Sequence, residues 1–186
     1  MTATAERYAR ATRSSHLRMT EEPGDVDTLI AAGIAREELG VSLLRLQTQY
    51  DATSRTPSNN TLTEHLLILM QLPGLSGTSD MVGRYARRLA DRRGVLAHPQ
   101  QLRALVGKVL DVFLDPACRP CGGRGFTGEF GSPMLRCAIC RESGKRRIEW
   151  HELFHLADFG MWLLDDLNEK MNRAEDQIRR KLRDSE

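Results

Sequence analysis

"CRPCGGRGFTGEFGSPMLRCAIC", residues 118–140, decides how the chain is read. It holds all four cysteines, in the order Cys118-x2-Cys121-x15-Cys137-x2-Cys140. Two Cys-x2-Cys knuckles at this separation read as a four-thiolate zinc site. Each knuckle turns tightly enough to aim two sulfurs at one ion, and the segment between them returns the chain. Four thiolates fill the tetrahedral shell of zinc and leave no open position, so the expected site is structural and not catalytic. The competing reading is four unrelated core cysteines or two disulfides, and the reducing compartment expected for this chain disfavours the latter. The insert, taken as residues 116–147, has few large apolar side chains, mainly Phe126, Phe130 and Met134. Zinc is therefore expected to supply much of its folding energy.

Arginines crowd this insert. Arg119 and Arg124 flank the first knuckle, Arg136 and Arg141 the second, and Lys145, Arg146 and Arg147 follow. The whole chain of 186 residues has a net charge of only +2. Residues 84–111 nevertheless carry seven Lys/Arg against two Asp/Glu, and residues 112–150 seven against four. Both flanks are acidic. A concentrated positive region in a near-neutral protein implies one polyanion-facing surface or a solvated arginine-rich face. A rigid ribbon carrying arginines can contact phosphates or guanine edges, and equally an acidic protein surface. The seven cations of the insert are the candidate DNA-binding residues.

Outside the insert the composition is helical, rich in Leu, Ala, Arg and Glu and poor in aromatics. Residues 1–24 read as a flexible arm. Residues 25–115 read as a helical body. Its first helix starts near Asp25 or Asp27 and runs to about Tyr50, with Leu29, Ile30, Ile34, Val41 and Leu44 on its apolar face. Gly33 and Gly40 lie seven apart and suggest a close helix–helix approach, or a break into two helices. "DATSRTPSNNT", residues 51–61, reads as a loop, and Thr61 with Glu64 as a capping box opening a short helix to about Leu72. After a "PGLSGTS" loop, a helix capped by Ser79 or Asp80 should close at Gly94. "HPQQLRALVGKVLDVFLD" reads as the next, with Pro99 near its first turn and Leu102, Leu105, Val106, Val109 and Phe113 at helical spacing.

From Ile148 a C-terminal segment, residues 148–186, reads as one long amphipathic helix or as two meeting near Gly160. Its stripe is Trp150, Leu153, Ala157, Met161, Leu164, Leu167 or Asn168, Met171, Ala174, Ile178 and Leu182. The fold class expected is mainly α, with an inserted zinc ribbon and this segment packing on the body. No run of apolar residues approaches a membrane span, and the N-terminus has no apolar h-region. A cytoplasmic location is expected.

The same segment contains "IEWHELFHL", residues 148–156, with the His-Glu-x-x-His pattern of zinc proteases. On a helix His151 and His155 would bind zinc while Glu152 activates water. Against that reading, the stripe through Trp150, Leu153, Ala157 and Met161 accounts for burial, leaving His151, Glu152 and His155 on flanking and outer surfaces. No sheet is expected to carry a substrate cleft. A small metalloprotease is the less favoured alternative, and no catalytic residue is assigned.

With these parts in order, the chain resembles the Q-type transcription antitermination factors of lambda-like phages and their prophage-derived bacterial relatives. The resemblance runs from about Asp25 to the C-terminal helix. It rests on "GDVDTLIAAGIAREELGVSLLRL", on the helix pair "YARRLADRRG" and "LRALVGKVLDVFLD", and on "CRPCGGRG", "CAIC" and the Gly-Lys-Arg-Arg exit. The second knuckle departs from the pattern, with Glu142 where a glycine often stands. The resemblance implies a factor that binds double-stranded DNA at a promoter element and engages RNA polymerase holoenzyme paused just downstream. Such factors narrow the RNA exit channel so that terminator hairpins cannot form. It further implies a helix-turn-helix element associated with the zinc-containing region, here within residues 99–180. Two non-enzyme alternatives remain: a plain DNA-binding regulator, and a protein-interaction ribbon like those of co-chaperones, which share Cys-x2-Cys-x-Gly-x-Gly.

Overall fold

A computed structural model describes residues 38–53, 72, 74–128 and 134–183. Among them the protein is mainly helical: α1 (Glu38–Thr53), α2 (Leu75–Arg93), α3 (Pro99–Leu114) and α4 (Ala157–Arg183). Between α3 and α4 lie a 3-10 turn (Arg119–Cys121), strands β1 (Phe126–Thr127) and β2 (Leu135–Arg136), and a 3-10 segment (His151–Leu156). The strands pair antiparallel, Phe126 opposite Arg136 and Thr127 opposite Leu135. The expected arm, residues 25–37 with Gly33, and the Thr61–Glu64 capping box lie outside the described residues.

The helices meet in a main apolar core, beside which Leu44, Ile178 and Leu182 form a smaller cluster between α1 and α4. Leu43, Leu46 and Tyr50 of α1 pack with Val82, Ala86 and Leu89 of α2 and Leu163 and Leu167 of α4. All five apolar positions read for α3 are buried there. Where α1 crosses α4, Gly40 is needed: a Cβ there would stand 2.9 Å from Ala174 Cβ and closer still to the Lys170 carbonyl oxygen. The close approach expected of this glycine is what the structure contains.

Gly94 closes α2 with a left-handed φ of 66°, and its N–H donates to the Ala90 and Asp91 carbonyls. That conformation costs a side chain but not glycine. Pro99 opens α3, where the missing N–H has no helical partner to lose. His98 and Gln101 form a reciprocal capping box before it, a cap the sequence reading did not assign.

Two boundaries differ from expectation. α2 begins at Leu75, not at Ser79 or Asp80, so most of the "PGLSGTS" stretch is its first turn. Leu75 packs against the core, Thr78 is buried, and the Thr78 N–H donates to Gly74 O at 3.0 Å. Tertiary burial thus decides the start without a side-chain cap. The C-terminal segment breaks before Ala157 and not at Gly160. Residues 151–156 are 3-10, with a kink at Leu153 (φ −100°, ψ 17°). A 3-10 turn advances with three residues and an α-helix with 3.6, so the stripe drawn from Trp150 loses phase. Phe159 and Leu163 are buried in place of Ala157 and Met161. Gly160 has another duty, since the Trp150 ring lies against it, with Cζ3 2.6 Å from where a Cβ would be.

Candidate metal centre and the basic surfaces around it

The four cysteines come together. Their sulfurs all lie within 4.8 Å of one another, with Cys118–Cys137 at 3.8 Å and Cys121–Cys140 at 3.7 Å. Each cysteine is at most 1% exposed, and the four form a cluster separate from the helical core. This set can hold a metal ion. Cys118 and Cys137 differ in their surroundings. Burial, reinforced by neighbouring thiols, pushes Cys118 up to about 12, whereas the backbone N–H of Cys140 draws Cys137 down to about 7. Four buried thiolates would need compensating charge; a coordinated dication would supply it and keep the thiols deprotonated.

The knuckles are built alike. The Cys118 N–H donates to Gly144 O at 2.8 Å, and the Cys137 N–H donates to Gly125 O at 2.9 Å. Each knuckle's first cysteine is thus tied to the glycine that ends the other. After Cys121 the chain turns through left-handed Gly122 (φ 56°) and Gly123 (φ 78°). After Cys140 it makes the same turn with Arg141 (φ 50°) and Glu142 (φ 72°). Glu142 therefore adopts the glycine-like conformation despite its side chain, and the loop shape is kept. Gly125 and Gly144 pack on backbone of the opposite knuckle, where a Cβ at Gly125 would be 2.5 Å from Glu142 O.

The module is fastened to the helical body by charge. α3 ends with Asp111 and Asp115, an unfavourable sign at the negative end of a helix dipole. Arg119 Nε meets Asp115 Oδ2 at 3.1 Å, and Arg146 pairs with Asp111 and lies 3.8 Å from Asp115. These four side chains are only 21–26% exposed. The Arg146 N–H also donates to Pro116 O at 2.8 Å, and Ala117 forms a bridge with Lys145. Tyr50 of α1 stands beside this network. Burial first, then Asp115, pushes its phenol up to about 12. Asp111, Asp115 and Tyr50 were not read from the sequence. The legible signal was the pair of aspartates one turn apart at a helix C-terminus, which calls for cations.

The seven cations read as DNA-binding are thus placed differently from one another. Arg119 and Arg146 hold the module to α3. Arg136 is exposed and pairs with Glu142 at 2.6 Å. Arg124 is exposed and its Nε donates to Cys121 O at 3.1 Å. Arg141, Lys145 and Arg147 are exposed, and among the described residues no carboxylate pairs with them.

The His-Glu-x-x-His residues form no metal set. His151 has φ 34° and its Nε2 lies 3.0 Å from Glu149 Oε2. The kinked 3-10 backbone does not stack residues i and i+4 as an α-helix does. The four cysteines are the metal-ligand cluster found among the described residues.

The class defined by these observations is a helical body with a docked four-cysteine module that can hold a metal ion. No protein-family model, no curated protein and no solved structure matches the chain. No helix among the described residues is long and apolar enough to cross a membrane.

Proposed function

We propose that this chain is a non-enzymatic, DNA-binding transcription antitermination factor. In this reading it recognises duplex DNA at a promoter element, loads onto RNA polymerase holoenzyme paused downstream, and lets it read through terminators by obstructing the RNA exit channel. The observation that carries the DNA part is the set of exposed cations on the module. Arg124, Arg141, Lys145 and Arg147 stand on one small body, without carboxylate partners among the described residues, and that body is fastened to α3 through Arg119 and Arg146. Cations carried on a folded module can reach phosphates or guanine edges without ordering of their backbone. The resemblance to the Q-type factors supports the polymerase part.

The ion held by the cysteines is proposed to be one structural zinc. Tetrahedral coordination with bonds of about 2.3 Å places sulfurs about 3.8 Å apart; Cys121–Cys140 and Cys118–Cys137 lie at 3.7 and 3.8 Å, and all four sulfurs within 4.8 Å of one another. When bound, the metal contributes folding energy to a module with little apolar core. The protein's own residues do the rest: the crosswise backbone bonds set the loops, and the surface cations meet the polyanion.

An electrophoretic shift with DNA from upstream of the chain's own operon tests the reading. Replacing Arg124, Arg141, Lys145 and Arg147 with Ala should weaken binding at least tenfold and reduce the salt slope by up to about 3.6 units, near 0.9 per phosphate contact. Unchanged affinity and slope would remove this face from DNA recognition.

A further inference from the structure

A second cationic surface lies away from the metal module. α2 and α3 border a groove of about 770 Å3. Arg84, Arg87 and Arg88 line it from α2 and Arg103 from α3, all exposed. Asp80 is the one carboxylate in the lining, and it pairs with none of them. Like charges at i, i+3 and i+4 repel, so the arrangement is one that a polyanion would relieve. Nearby Arg93, by contrast, stacks on Trp162 at 3.6 Å.

A second observation is independent of charge. Gly83 lines the same groove in the middle of α2, and a Cβ built there would meet nothing within 4 Å. A glycine in a helix interior is unfavourable, and unlike Gly40 this one relieves no contact within the described protein. Its effect is to leave helix backbone open on the groove floor between arginines.

We propose that the α2–α3 groove seats the sugar-phosphate backbone of a nucleic-acid duplex, with Arg84, Arg87, Arg88 and Arg103 on phosphates and Gly83 admitting the strand against the helix. No aromatic side chain lines the groove. It therefore offers no platform for unpaired bases, and contact to a duplex backbone carries no sequence information. This contact goes beyond the promoter-reading face of the module and does not depend on it.

The test uses the full chain and a mixed-sequence DNA duplex that lacks any promoter element, so a failure of the antitermination reading leaves it intact. Arg84→Gln, Arg87→Gln, Arg88→Gln and Arg103→Gln together should weaken duplex binding at least tenfold and lower the salt slope by about 3.6 units. All four side chains are exposed and their mutual repulsion is relieved, so the melting temperature should not fall. Gly83→Gln removes no charge and should raise the melting temperature by about 2–4 °C, because it restores a helix former. It should nevertheless weaken duplex binding at least fivefold. Unchanged duplex binding in the arginine variant overturns the proposal. So does full binding by Gly83→Gln, which would mean diffuse attraction and no seat. Tighter binding of the single strand than of the duplex, lost in the same variants, overturns the duplex assignment.

Discussion

Arg146→Gln separates two roles that one arginine could have. If Arg146 contacts a phosphate, its loss should lower the salt slope by about one unit and leave stability within about 0.5 kcal/mol, as for most surface changes. The structure places it otherwise. Its guanidinium pairs with Asp111 and lies 3.8 Å from Asp115. Asp115 is also paired with Arg119, at 3.1 Å, so the substitution should weigh mainly on the Asp111 contact. Breaking a fully buried pair costs about 3–5 kcal/mol, and an exposed one less than about 1. With both groups about one-quarter exposed, about 2 kcal/mol is expected. For a chain of this length that lowers the melting temperature by about 4–8 °C. Thermal unfolding of the metal-loaded protein measures the first quantity, and duplex binding between low and moderate salt the second. Unaltered melting with a slope lower by one would refute the junction role and return Arg146 to the DNA surface.

Other outcomes follow from the same geometry. Glu142→Gly should stabilise the module by about 1 kcal/mol by relieving a left-handed side chain, since the exposed Arg136 pair it removes contributes little; chelator titration of the metal-loaded protein reads this as slower metal release. Gly40→Ala gains about 1 kcal/mol of helix propensity but forces α1 from Lys170 and Ala174, and overpacking costs about 1–3 kcal/mol, so urea denaturation should show net destabilisation. Tyr50 holds its proton more tightly when folded, its pKa being raised from 10.0 to about 12. Its contribution is therefore full below pH 10 and is lost as pH rises through 12; Tyr50→Phe should give a flatter alkaline stability profile.

How far the sequence was legible depended on whether a residue's role was local. The cysteine spacing carried the cluster, because two knuckles can converge only within a narrow range of separations. The Gly94 stop and the α3 stripe were legible for the same reason: cap and period are properties of a few neighbouring residues. The start of α2 was not, because Leu75 and Thr78 are helical through burial and not through a capping signal. The phase error after Trp150 arose because six residues wind as 3-10, and nothing in "HELFHL" distinguishes the two periods. Arg146 and Arg147 are adjacent and of one type, yet the first holds the module to α3 and the second is exposed. Only the aspartates one turn apart on α3 separate them, and their relevance requires knowing that the module folds back onto that helix.

Transcription with purified RNA polymerase, from the chain's own promoter through a downstream terminator, tests the central proposal most directly. The account predicts that the intact protein raises read-through only when the upstream promoter DNA is present, and that Cys137→Ser, which disrupts the metal module, abolishes the effect. If the intact protein binds that DNA yet leaves termination unchanged, antitermination is contradicted and the protein is a DNA-binding regulator.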